Sequence, residues 1–148
     1  MNSDFKDLLC LLHEEKVEYL VAGGYAVIYH SQPRYTKDLD IWIKPSAENA
    51  NRLMRVFAKF GIPLIGLHEE DFASVGTQFS LGAEPNQIDL LTVIPGLAFD
   101  QAWETHVTTE AEGFPIYYLG KEALIVAKKT AGRLQDLADI EEMERTET

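Results

Sequence analysis

The pattern of apolar and polar positions divides the chain into alternating helical and extended stretches. Asn2-Ser3-Asp4 form a capping signature, and Phe5, Leu8, Leu9 and Leu12 recur behind it at helical spacing. After a turn over 16–18, Tyr19-Leu20-Val21-Ala22 is a continuous apolar run of strand length. Gly23-Gly24 interrupt it, positions 25–30 return to a helix-like pattern, and Pro33 closes that segment. A second apolar run predicts a strand over 35–43, stopped by Pro45-Ser46. Ser46 then caps a predicted helix over 47–60, with Leu53, Val56, Phe57 and Phe60 as its buried stripe and Gly61 as its stop.

Positions 61–75 lack a period and predict a loop with a short helical turn near 68–72. Two strands follow, 77–81 and 87–93, joined by the turn-rich Gly82-Ala83-Glu84-Pro85-Asn86. In the second, Ile88 and Leu90 face one way while Gln87, Asp89 and Leu91 face the other. A helical turn over 98–103, a strand at 116–118 and two helices at 121–130 and 134–144, parted near Gly132, complete the chain. No repeat or linker divides it. The expectation is one α/β (α+β) domain over 1–148, with a mixed twisted sheet flanked by helices. Its core lies at 17–93 and a C-terminal helical pair at 121–144.

Composition narrows the function classes. Hydrophobic residues make up 46% and charged residues 25%, ordinary for a globular chain. No apolar run approaches the roughly 20 residues of a membrane span, and no signal peptide opens the chain. The single Cys10, inside Leu8-Leu9-Cys10-Leu11-Leu12, reads as a buried small hydrophobe, and the chain as cytoplasmic. A formal net charge of −11 argues against duplex DNA binding, which needs a basic footprint. It leaves room for a nucleotide or a nucleic-acid end, because bound cations invert the local field.

The chemistry gathers on acids placed inside apolar strands. Asp38 and Asp40 flank Leu39, so strand alternation points both carboxylates the same way, roughly 7 Å apart. Like charges so placed repel unless a cation lies between them, which suggests a divalent-metal site. Asp89 is a third acid in a strand, a residue type that strands disfavour. If the two strands are neighbours, Asp38, Asp40 and Asp89 converge on one or two Mg²⁺ ions. Those ions would clamp the oxygens of a phosphoryl displacement. Arg34 and Thr36 continue the same alternation backward; Arg34 either pairs with a phosphate or is a solvated loop residue. Gly23-Gly24, between strand and helix, allow close backbone approach to phosphate, or simply make a tight turn. Lys128, Lys129, Arg133, Asp136 and Asp139 read first as solvated intrahelical pairs, with a nucleotide-phosphate role for Lys129 or Arg133 as the other reading. The four histidines match no zinc pattern, and His30 reads as structural. Tyr25, Tyr29, Tyr35 and Trp42 offer rings to a base, though packing is the simpler role for most of them.

Gly23-Gly24, thirteen intervening residues and then Asp38-Leu39-Asp40-Ile41, with Asp89 in a later strand, resemble the nucleotidyltransferase superfamily that includes DNA polymerase β. Arg34-Tyr35-Thr36-Lys37-Asp38-Leu39-Asp40 and the Lys, Arg, Asp-x-x-Asp order from Lys128 to Asp139 are similar to small prokaryotic proteins of the abortive-infection (AbiEii-type) group. The resemblance implies a nucleotidyltransferase-like fold. It implies that Gly23 and Gly24 hold a triphosphate, that Asp38 and Asp40 bind Mg²⁺, and that Asp89 completes the metal site and favours deprotonation of an acceptor hydroxyl. Gly24 stands where many members carry Ser. The implied activity is transfer of a nucleoside monophosphate from an NTP, ATP included, to an RNA end, a protein or a small molecule. A protein partner or a homo-oligomer is compatible with it. Two alternatives stand beside that activity: an idle binding or scaffold protein on the same fold, and the toxin of a toxin–antitoxin pair.

Overall fold

The first helix begins where the capping signature places it. Asn2 Oδ1 accepts the Phe5 N–H at 2.9 Å, and α1 (Ser3–Glu14) buries Phe5, Leu8, Leu9 and Leu12. The computed structural model describes residues 1–83 and 85–146; Glu84, within the predicted turn, and positions 147–148 lie outside the described residues. The chain continues through β1 (Tyr19–Ala22), α2 (Gly23–His30), β2 (Leu39–Ile43) and α3 (Ala47–Phe60), then a 3-10 turn at Glu69–Phe72. It goes on through β3 (Gln78–Leu81), β4 (Ile88–Leu91), α4 (Phe99–Glu104), β5 (Val107–Ala111) and β6 (Phe114–Tyr118), and ends in α5 (Lys121–Ala131) and α6 (Leu134–Arg145).

The strands form one mixed sheet in the order β3-β4-β2-β1-β6-β5. Within it β2–β4 and β1–β6 run parallel, and β1–β2, β3–β4 and β5–β6 antiparallel. The fold is thus the expected mixed α/β sheet flanked by helices, with a C-terminal helical pair. Among the described residues no helix is long and apolar enough to cross a membrane.

Two strand assignments differ from the sequence reading. The strand expected over 35–43 begins only at Leu39. On one side its partner β1 ends at Ala22, paired with Asp40, and turns into α2; on the other, β4 pairs only from Ile88. Among the described residues neither neighbouring strand continues alongside 35–38, so the ladder ends at Leu39. The second difference is β5, which the sequence reading missed. Its Val107 and Thr109 alternate with exposed Thr108 and Glu110, a half-buried strand pattern diluted by charge. The hairpin to β6 closes through Glu112 (φ 51°) and Gly113 (φ 93°), the paired positive φ values of a two-residue turn that matches strand twist.

Tyr19–Ala22 are all buried, as are four of the five β2 residues, which explains their near-continuous apolar sequence. Each such Leu, Ile or Val contributes about 1.5–3 kcal/mol by burial. Phe57 of α3, Phe72 of the 3-10 turn and Phe79 of β3 meet edge to face or tilted, 5.5–6.3 Å apart, and tie those elements to one side of the sheet. Asn49, buried within α3, anchors the far end of β1 and β2. Its Nδ2 donates to the Glu18 and Lys44 carbonyls at 2.9 Å, and its Oδ1 accepts the Glu18 N–H at 2.7 Å. The two strands are thereby pinned at one end, and Ala22 and Asp40 sit at the other.

Candidate functional site

Sheet register brings two of the three acids together. Asp40 lies directly opposite Asp89 across the parallel β2–β4 pair, and their side chains share a hydrogen bond. Burial, then the charge of Asp89 and its hydrogen bond, then the charge of Asp38 push the Asp40 carboxyl up to about 7, against a smaller opposing pull from Lys128. Asp89 is buried, 7% exposed, and its Oδ1 accepts from Ser80 Oγ at 2.6 Å and Gln87 Nε2 at 2.9 Å. Asp38, just ahead of β2, completes the acidic side of the site.

The glycine pair packs onto these acids. Gly23 has φ +62°, and a Cβ there would fall on Asp40 Oδ2. A side chain on Gly24 would meet Thr36 Oγ1 and come within 3.3 Å of Arg34 Nη2. Both glycines open α2, whose N-cap Ala22 makes no side-chain cap, and this helix start packs against Asp40 and Thr36. Arg34, Thr36, Asp40 and the glycines thus share one neighbourhood. The cause for Arg34 and Thr36 is a loop folded over Gly24, not the extended strand over 34–40 that the spacing suggested.

The cations of the C-terminal helices divide differently from the sequence reading. Lys128 is 9% exposed and reaches across from α5 to α6, its Nζ 3.2 Å from Asp136 and 3.1 Å from Asp139. These are buried interhelical ion pairs, where solvated intrahelical pairs were expected. Asp139 also accepts from Arg34 at 3.3 Å and from Gln135 at 2.8 Å, which joins the loop before β2 to α6. Burial would raise Asp136, but hydrogen bonds from Arg133 and Lys128 outweigh it and hold that carboxyl below its ordinary range. Arg133 stands at the start of α6 with its Nε 2.7 Å from Asp136 and most of its side chain in solvent. Lys129 is exposed on the neighbouring position of α5.

The remaining sequence candidates fall outside the acidic corner. His30 Nε2 bonds the Leu119 carbonyl at 2.8 Å, and burial lowers its pKa. Trp42 is buried against Phe99, Tyr25 packs edge-on to Phe5, and Tyr29 stacks on Tyr118. Tyr35 alone of that set is largely exposed, at 71%. Cys10 is half-buried instead of buried, with its thiol directed at Glu14. Sequence reasoning missed Ser80 and Gln87. Their signal was present in the alternation of Ser80 with Phe79 and Leu81 and of Gln87 with Ile88, which puts both on the face of Asp89.

Among the described residues no three His, Cys, Asp or Glu side chains form a ready-made metal cage. The donors nonetheless suit a hard divalent ion. All are carboxylate oxygens, and Asp40 and Asp89 face each other across paired strands, where burial and mutual charge raise the Asp40 pKa and a cation would relieve the repulsion. A cation of this kind would use Asp40 and Asp89 with Asp38 beside them.

This arrangement lies on a known fold. The structure is similar to that of the lincosamide antibiotic adenylyltransferase LnuA bound to lincomycin, with a TM-score of 0.63 and 18% identity over 99% of this chain and 98% of that one. It is also similar to a candidate nucleotidyltransferase from Thermotoga maritima, with a TM-score of 0.61 and 15% identity over 97% of this chain and 91% of the other. At these identities the likeness establishes the nucleotidyltransferase fold. No protein-family model matches the sequence, and no curated protein matches it significantly.

Proposed function

We propose that this chain, acting as one domain, is a Mg²⁺-dependent nucleotidyltransferase that moves a nucleoside monophosphate from an NTP to an acceptor hydroxyl and releases pyrophosphate. The observation that carries the reading is Gly23. It is a left-handed residue whose missing side chain lets the Asp40 carboxylate pack onto its backbone, at a helix start without a side-chain cap and beside a buried carboxylate pair. Backbone N–H groups and carboxylates brought together in this way suit one shared ligand, and a metal-bound triphosphate is such a ligand.

In this reading the triphosphate lies along the Gly23-Gly24 turn. Thr36 Oγ1 occupies the place where a side chain at position 24 would begin, so Thr36 supplies the hydroxyl that Gly24 lacks. Arg34, Lys128 and Arg133 offset phosphate charge from the loop and the helical pair, and Lys129 serves from the outer surface. Asp38, Asp40 and Asp89 would hold Mg²⁺, which would supply charge neutralisation at the phosphates. Asp89 would accept the acceptor hydroxyl's proton as that oxygen bonds to the α-phosphorus and the bond from the α-phosphorus to the bridging oxygen breaks, with pyrophosphate leaving. Catalysis is positioning and electrostatics, with no covalent role for the protein.

The similar LnuA chain, an adenylyltransferase, is matched over 98% of its length. ATP with a hydroxylated small molecule is therefore the first substrate pair to try. No observation favours the toxin role.

The test offers labelled NTPs and Mg²⁺ with cell RNA, cell protein and lincomycin, and follows pyrophosphate and the destination of the label. Expected is Mg²⁺-dependent release, lost in Asp38→Asn and Asp40→Asn variants whose circular dichroism is unchanged. Activity retained by both variants without metal would sink the mechanism. NTP binding by calorimetry without release would establish the idle reading instead.

A further inference from the structure

Asp89 is held by two side chains whose presence local structure does not explain. Ser80 lies on β3, an edge strand of the sheet, directly opposite Asp89 in the antiparallel pair. Its neighbour Phe79 packs against Phe57 and Phe72, whereas Gln78 and Ser80 are exposed on the other face. Serine is a poor strand former, and at an exposed edge position Thr would serve the fold better. Gln87, two residues before Asp89, shares its face by alternation. Both side chains donate to the same oxygen, Asp89 Oδ1, at 2.6 and 2.9 Å.

We infer that Ser80 and Gln87 are positioning residues that occupy Asp89 Oδ1 and leave Oδ2 as the single atom presented to the ion and the acceptor. The inference rests on the metal-dependent reading above. A carboxylate free to rotate would alternate between chelating an ion through both oxygens and releasing it. One anchored by two donors has a fixed bite, which is how outer hydrogen bonds tune ligands in metal sites generally. Edge placement keeps the device separable from stability, since β3 packs through Phe79 and the Ser80 side chain does not.

The experiment compares Ser80→Ala, Ser80→Thr and the unmodified protein. Melting is measured without metal, Mn²⁺ affinity by electron paramagnetic resonance, and kcat and NTP KM by pyrophosphate release. Expected for Ser80→Ala is a melting temperature within about two degrees of the unmodified chain. Mn²⁺ binding weakens on the order of tenfold, and kcat falls similarly at unchanged KM. Ser80→Thr, which keeps the hydroxyl, restores both. Full Mn²⁺ affinity and kcat in Ser80→Ala, or equal impairment in Ser80→Thr, would overturn the inference while leaving the transferase reading in place. An unmodified protein that binds no Mn²⁺, or an Asp40→Asn variant that binds it equally well, would overturn the transferase reading and this inference with it.

Discussion

Asp40 and Asp89 face each other across two parallel strands and share a hydrogen bond, with Asp40 pushed up to about 7 by burial and by its neighbour's charge. Two carboxylates in this position cannot both ionise cheaply without a cation. Asp40 therefore keeps its proton to a higher pH than an isolated carboxyl would.

The pH dependence of stability follows from that pair. The folded pKa of Asp40 lies above its ordinary value of 3.8, so between those two values the folded state binds more protons than the unfolded chain. Its contribution is full below about pH 4 and is lost as pH rises through about 7. Metal-free protein should melt at a lower temperature at pH 8 than at pH 5.5. Asp40→Asn should flatten that difference, and saturating Mg²⁺ should restore the melting temperature at pH 8. Calorimetric melts at both pH values decide it; an Asp40→Asn protein with an unaltered pH dependence would remove Asp40 as the cause.

Gly23→Ala should cost both fold and function. The left-handed φ of +62° disfavours any side chain by about 1 kcal/mol, and the added Cβ must displace the Asp40 carboxylate. Stability should fall by 1 kcal/mol or more, on the order given for strained positive-φ sites, and NTP-dependent pyrophosphate release should drop below detection. Urea titration beside the activity assay separates the two losses.

Lys128 and Lys129 are adjacent in sequence and opposite in consequence. Lys128→Met leaves Asp136 and Asp139 buried with reduced compensation, a loss of about 3–5 kcal/mol for breaking a buried pair. Lys129→Met, on the exposed face, should stay within about 0.5 kcal/mol. Equal denaturation midpoints for the two variants would contradict the buried pairing.

Thr36 gives a sharper test of the phosphate corner. Thr36→Val removes the hydroxyl over Gly24 at constant shape and should raise the NTP dissociation constant roughly ten- to a hundredfold, the worth of one hydrogen bond to a charged group. Thr36→Ser should bind nearly as the unmodified chain. Isothermal calorimetry with a non-hydrolysable NTP measures both, and wild-type affinity in Thr36→Val would exclude the contact.

Local sequence determined most of the elements. The Asn2 and Ser46 caps, the Gly61 and Gly132 stops, and the β1 run were legible because each depends on groups within a few residues. Asp40 and Asp89 were legible for a different reason: carboxylates inside apolar strands contradict local preference, whereas Asp38, read into the same strand, lies just ahead of it. Tertiary structure decided what long-range pairing alone can decide. Strand order placed Asp89 against Asp40 and cut β2 short where no neighbour remained, and edge pairing put Ser80 on Asp89. Helix packing buried Lys128 and exposed Lys129, a choice set by rotation about α5 against α6 that intrahelical spacing does not fix. The chain's own order of residues thus announced the carboxylates and the glycines, and the sheet register turned them into a single corner.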